Sequence, residues 1–293
     1  MLLEKLRRIC RRVLGLLCAS PSADGKRIPS LGRLAEPSPA GQLLLETINI
    51  TRPGIVVEAA GFSRPSVEAL ASILSEARRE YEGAMGFTLP ETVRLEAKME
   101  PEGEVRLWTD GASSLFLRLQ SPAQLAPSIR TGVFIVYGLC HELGHIVMYR
   151  RMRSLSGLPE GVAEGWAHYA GSVVVDAVAS RLGRSIWPEP YDVATTEGFA
   201  RLQRQVDGKD WAELGAGSRG AKVFCELEKR HGRGCLAHSL TRALSKCPSG
   251  AELMSQLINA LRETAADPTA GDWIPLELLV CQEPREPDPS DGM

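Results

Sequence analysis

Apolar and polar positions change their period part-way along this chain. Between about 42 and 120 the apolar residues fall in short runs between breakers, whereas from about 128 onward they recur at helical spacing. QLLLETINI and GIVVEAAGF hold β-branched and apolar residues between breaks at Arg52-Pro53-Gly54 and Gly61, which predicts two strands. A helix is expected next, capped by Ser66 with Glu68 in its first turn. Val67, Leu70, Ala71, Leu74, Ala77 and Tyr81 share one apolar face of it, down to Gly83. TVRLEAKM and EVRLWTDG then alternate with period two on either side of Glu100-Pro101-Glu102-Gly103, predicting a hairpin, and SSLFLRLQ predicts a further strand.

Beyond the proline-bearing stretch from Ser121 to Pro127 the pattern turns helical, first from about Ser128 to Arg153 and then through LPEGVAEGWAHYAGSVVVDAVASRL. The expected fold class is α+β. A sheet-rich lobe over residues 42–127 packs on a helical lobe over 128–282, with an active-site cleft between them. Three flanking segments stand apart from this plan. Residues 1–20 form a basic amphipathic leader helix, and docking on the body, peripheral membrane contact and export remain open for it. Residues 21–41 are a flexible linker dense in Ser, Pro and Gly, and 283–293 a disordered acidic tail.

Composition narrows the picture only slightly. With 44% hydrophobic residues, 293 residues can bury a core without disulfide staples. Lys plus Arg total 34 against 36 for Asp plus Glu, a balance that gives no field for collecting nucleic acid. The seven cysteines form no CxxC pair, and Cys225, Cys235 and Cys247 read either as one bridge plus a thiol or as free thiols. The compartment therefore stays open, with a cytoplasmic or membrane-peripheral location favoured over an exported one.

The chemistry enters at GLCHELGHIVMYRR. His141 and His145 are four residues apart, so a helix sets both imidazoles on one face about one turn from each other, within reach of a single ion. Zn2+ takes imidazole nitrogen and about four ligands, one of them water in a catalytic site. Glu142 stands beside the first ligand, where its carboxylate takes a proton from a water polarised by the ion. Gly144 removes bulk between the ligands. Glu164 follows His145 by nineteen positions, enough chain to end one helix, turn between Ser154 and Gly161, and return antiparallel. An unpaired carboxylate in an apolar helix calls for a compensating cation. Glu160, placed in the loop, and His168, one turn past Glu164, are the competing third ligands. His168 also fits as a hydrogen-bond donor in the transition state, a partner orienting Glu164, or a core histidine.

HELGH, eighteen intervening residues and EGWAHYAGS together resemble the gluzincin zinc metallopeptidases, especially the aminopeptidase N and leukotriene-A4-hydrolase branch. The resemblance implies a zincin-like fold, with His141, His145 and Glu164 as metal ligands and Glu142 as general base. It further implies an edge strand that binds a peptide or protein substrate, at Ser113 to Leu119. A fainter likeness runs over residues 220–246. There the position of the family's catalytic tyrosine is Gly217, and no counterpart of its Gly-Ala-Met-Glu-Asn sequence precedes His141. Oxyanion stabilisation then falls to the metal with His168, Tyr169 or Tyr191. The expected activity is a zinc metallopeptidase, with Glu142 and His168 as the catalytic residues. A zinc-holding protein without turnover and a zinc hydrolase of a non-peptide bond are the rival readings.

Overall fold

A computed structural model of the chain describes residues 46–120, 131–186, 198–207 and 214–264. The leader over 1–20, the linker over 21–41, Tyr191 and the tail over 283–293 lie outside the described residues. Thr47–Met293 forms one compact unit. Among the described residues it is a mixed α+β structure with one five-stranded sheet and seven helices.

The strands are β1 (Thr47–Arg52), β2 (Ile55–Ala60), β3 (Val93–Met99), β4 (Arg106–Thr109) and β5 (Ser114–Leu119). Their spatial order is β1-β2-β3-β5-β4, with β2, β3 and β5 parallel and the outer strands β1 and β4 antiparallel to their neighbours. The predicted hairpin between TVRLEAKM and EVRLWTDG does not form. β3 pairs instead with β5, Leu95 opposite Leu115 and Ala97 opposite Leu117, so that the buried face continues across both strands. The hairpin is β4 to β5. Its turn is held by Asp110, whose Oδ1 accepts from the backbone N–H of Ala112, Ser113 and Ser114 at 2.8–2.9 Å.

Helix α1 (Arg64–Gly83) crosses from β2 to the parallel β3, as a parallel pair requires. Ser63 rather than Ser66 caps it, accepting from the Ser66 N–H at 3.4 Å, with proline in the first turn where no N–H is needed. Its predicted apolar face is buried, with Ile73 added. Then come α2 (Thr131–Tyr149), α3 (Glu160–Ile186), α4 (Gly198–Asp207), α5 (Ala216–His231), α6 (Arg233–Ser245) and α7 (Gly250–Thr264). The α1 helix packs on β1 and β2, α2 reaches β4 and β5, and α3 lies between α2 and α5. Among the described residues, no helix is long and apolar enough to cross a membrane.

Two close approaches bring the site helices together. A Cβ at Gly144 would stand 3.0 Å from Tyr81 Oη and 3.2 Å from Ala167 Cα, so Gly144 opens room for α1 and α3 rather than between the ligands. On the far side of α3, a Cβ at Gly220 of α5 would fall 1.6 Å from the Gly161 carbonyl oxygen, so these two backbones touch. Tyr81 Oη then donates to the Cys140 carbonyl at 2.7 Å, tying α1 to the residue before His141.

Candidate metal centre

His141 and His145 project from α2, and Glu164 from α3, which runs antiparallel to it. The contacts of Gly144 with Ala167 and of Gly171 with His141 show this direction. All three side chains are buried, with residue exposures of 4–7%. His141 Nε2 lies 3.2 Å from His145 Nε2, and Glu164 presents Oε2 to the first and Oε1 to the second at 3.4 Å each. Among the described residues this is the one group of His, Cys, Asp or Glu whose donor atoms converge closely enough to hold a metal ion.

The dimensions suit a tetrahedral ion. Donors about 2.0–2.1 Å from a shared tetrahedral centre stand about 3.3 Å from one another, near the Nε2–Nε2 separation and the distance from each imidazole to its own carboxylate oxygen, and one donor atom from each of the three residues lies within 4.8 Å of the others. The protons fit too. Nδ1 of each histidine is buried without a hydrogen-bond partner among the described residues. A proton on each Nδ1 leaves both Nε2 lone pairs facing the carboxylate, a concentration of negative charge that a cation relieves. Neither ring has the outer hydrogen bond that metal-binding histidines usually make.

The electrostatics follow from burial and proximity. Burial acts to raise the Glu164 carboxyl, but His145 and His141 outweigh it and hold Glu164 well below the ordinary carboxylate range. Burial acts to lower His145, and Glu164 reverses the sign, leaving it raised. Glu142 stays outside the converging group. Its carboxyl is raised by burial, pulled back by His145 and His141, and raised again by Glu164.

The competing residues separate cleanly. Glu160 is not in a loop but is the first residue of α3, and it takes no part in the converging group. His168 lies beside the group without joining it: its ring centroid is 4.7 Å from that of His141, and its Nδ1 is 2.7 Å from Tyr137 Oη. Burial, then the neighbouring His141, push His168 down to about 3, so its ring is neutral. Tyr169 points elsewhere. Its hydroxyl donates to Glu228 Oε2 on α5 at 2.5 Å, which removes it from the oxyanion candidates.

The expected edge strand at Ser113 to Leu119 is also corrected: β5 is paired on both sides, and the edge is β4. Gly217 does reach the site, since a Cβ there would stand 3.0 Å from Glu164 Cβ and 3.3 Å from His168 Nε2.

Two aromatic neighbours were not anticipated. Tyr149 stacks on His145 with ring centroids 5.1 Å apart, and Tyr137 stands 6.0 Å from His141 in the same measure. Tyr137, His141, His145 and Tyr149 recur every four residues on α2, a stripe that helical spacing alone exposes. No known family profile and no curated protein matches this chain.

Proposed function

We propose that this chain is a zinc-dependent peptidase of the gluzincin type, with His141, His145 and Glu164 as the metal ligands. The observation that carries the reading is the convergence of their donor atoms, buried between two helices: the two Nε2 atoms lie 3.2 Å apart, and each is 3.4 Å from a different oxygen of the Glu164 carboxylate. When bound, the zinc ion supplies a Lewis acid that polarises a carbonyl and makes water a nucleophile near neutral pH.

The residues of the chain do the rest. Glu142 accepts the proton of the attacking water on its carboxylate and returns it to the leaving amine. Its carboxyl lies near enough to His145 and His141 to be pulled down by both, while burial raises it. His168 lines the site as a hydrogen-bond donor towards the substrate. The antiparallel strand β4, adjacent to α2, is an edge of the sheet among the described residues, and an extended peptide aligns along it as an added strand. The finer fold reading belongs to the same proposal: a zincin-like arrangement in which the sheet and the helices beyond α2 flank a substrate cleft.

Glu142→Gln tests the assignment. The zinc-loaded protein is expected to cleave members of a mixed peptide library, and the variant to lose nearly all turnover while keeping its metal. Intact zinc binding with no cleavage by the wild type would overturn the peptidase reading.

A further inference from the structure

We propose that Tyr137 is a positioning residue: it fixes the tautomer of His168, so that His168 presents an Nε2–H donor to the substrate. The proposal rests on the peptidase reading above and adds to it a donor for the substrate oxygen on which charge develops.

Three contacts define the arrangement. Tyr137 Oη lies 2.7 Å from His168 Nδ1, with the two rings within 17° of parallel. His168 follows Glu164 by one turn on α3, and Tyr137 precedes His141 by one turn on α2, so the bond spans the helices on one side of the metal ligands. The His168 ring lies against His141, 4.7 Å between centroids. On its other side, Gly217 of α5 stands so close that a Cβ would come within 3.3 Å of both Cδ2 and Nε2. Any side chain at 217 would compete with His168 for this space.

The bond decides what His168 can do. A neutral imidazole has one donor and one acceptor nitrogen. A phenol is a better donor than acceptor towards an imidazole lone pair, so Tyr137 donates to Nδ1 and the ring proton resides on Nε2. With Nδ1 engaged, His168 is excluded from the metal through that atom, and Nε2–H remains for the substrate oxygen on which charge develops. Donors held in advance at such a position, in a site shielded from water, stabilise that charge without reorganising. In this scheme the effect of Tyr137 passes through His168.

The test uses the full chain labelled with nitrogen-15 histidine, metal-free and zinc-loaded, as wild type and as Tyr137→Phe, His168→Gln and His168→Ala. Nitrogen NMR of the wild type is expected to show His168 as the Nε2–H tautomer alone, and Tyr137→Phe to show both tautomers with zinc stoichiometry unchanged. On a cleaved peptide, Tyr137→Phe should lower kcat about tenfold with KM nearly constant. His168→Ala should lower kcat roughly 100-fold, and His168→Gln, which keeps an amide donor, should recover part of that loss. An Nδ1–H tautomer in the wild type, or a Tyr137→Phe protein with both tautomer and kcat unaltered, overturns the proposal. If Tyr137→Phe does not fold, the wild-type tautomer and the order of the two His168 variants decide it. The tautomer is read without substrate, so a protein that binds zinc and cleaves nothing would sink the hydrolase reading while leaving the Tyr137 contact separately judged.

Discussion

Trp166 donates its indole N–H to the carbonyl of Gly144 at 3.0 Å, and this bond fixes how far α3 can slide along α2. Trp166 is two residues past Glu164, and Gly144 directly precedes His145. The register that the bond sets is therefore the register that brings the carboxylate to the imidazoles. Trp166 is fully buried among Phe87, Tyr169 and Phe224, so it acts as a wedge as well as a donor.

Trp166→Phe should loosen that register. It leaves the Gly144 carbonyl without its side-chain donor and a gap in the core, for a loss of about 2 kcal/mol in unfolding free energy. Zinc affinity should fall about tenfold, as it does when a group that orients a ligand is removed. Urea unfolding and competition with a zinc-sensitive dye measure the two effects. Unchanged affinity in the variant would show that the register is set elsewhere.

The contact between α3 and α5 predicts a strict size limit. Gly220→Ala places a Cβ 1.6 Å from the Gly161 carbonyl oxygen, on backbone that cannot rotate away. The helices must separate, with a stability loss of about 3 kcal/mol. Thermal unfolding of the variant checks this, and a melting temperature equal to that of the wild type would contradict it. Gly232→Ala, at a helix junction where an added Cβ meets nothing within 4 Å, separates crowding from backbone conformation, because the φ of +79° there strains any other residue.

The β4–β5 turn predicts a small acid-dependent term. Burial alone would raise the Asp110 carboxyl, but the backbone N–H groups of Ser114, Ala112 and Ser113 hold it below its ordinary value. A group whose folded pKa lies below its unfolded one stabilises fully above the unfolded value, near 4, and that contribution is lost as the pH falls through the folded value. Asp110 is solvent-exposed, so the term is less than about 1 kcal/mol. Asp110→Asn should be less stable than the wild type at neutral pH, with the difference closing in acid. A difference independent of pH would show that the carboxylate charge does not matter to the turn.

The helices around the site were legible in the sequence because their information is local. Val67 to Tyr81 announce α1 by spacing, and the cost of leaving the Glu164 carboxylate alone in an apolar helix points to its convergence with His141 and His145 into a group that could hold a metal ion. Strand pairing was not legible. The Glu100 to Gly103 turn looks like a hairpin connection, but β3 finds its partner in β5, a choice made by the continuity of Leu95, Leu115 and Leu117 across the sheet. The same rearrangement moves the edge from Ser113–Leu119 to β4. Tyr169 shows another limit: its spacing allowed a place at the site, and only the packing of α5, which brings Glu228 to its hydroxyl, turns it away. Tyr137 was within reach, since its position one turn before His141 follows from the period that relates His141 to His145.

Metal content of the purified full chain beside Glu164→Ala decides whether the three residues hold one ion. After loading with zinc and exhaustive dialysis, the wild type should retain one zinc ion per chain, and Glu164→Ala should lose nearly all of it while keeping the helical content of the wild type. Equal zinc in the two proteins, or none in the wild type, would contradict the assignment of His141, His145 and Glu164 as one metal centre.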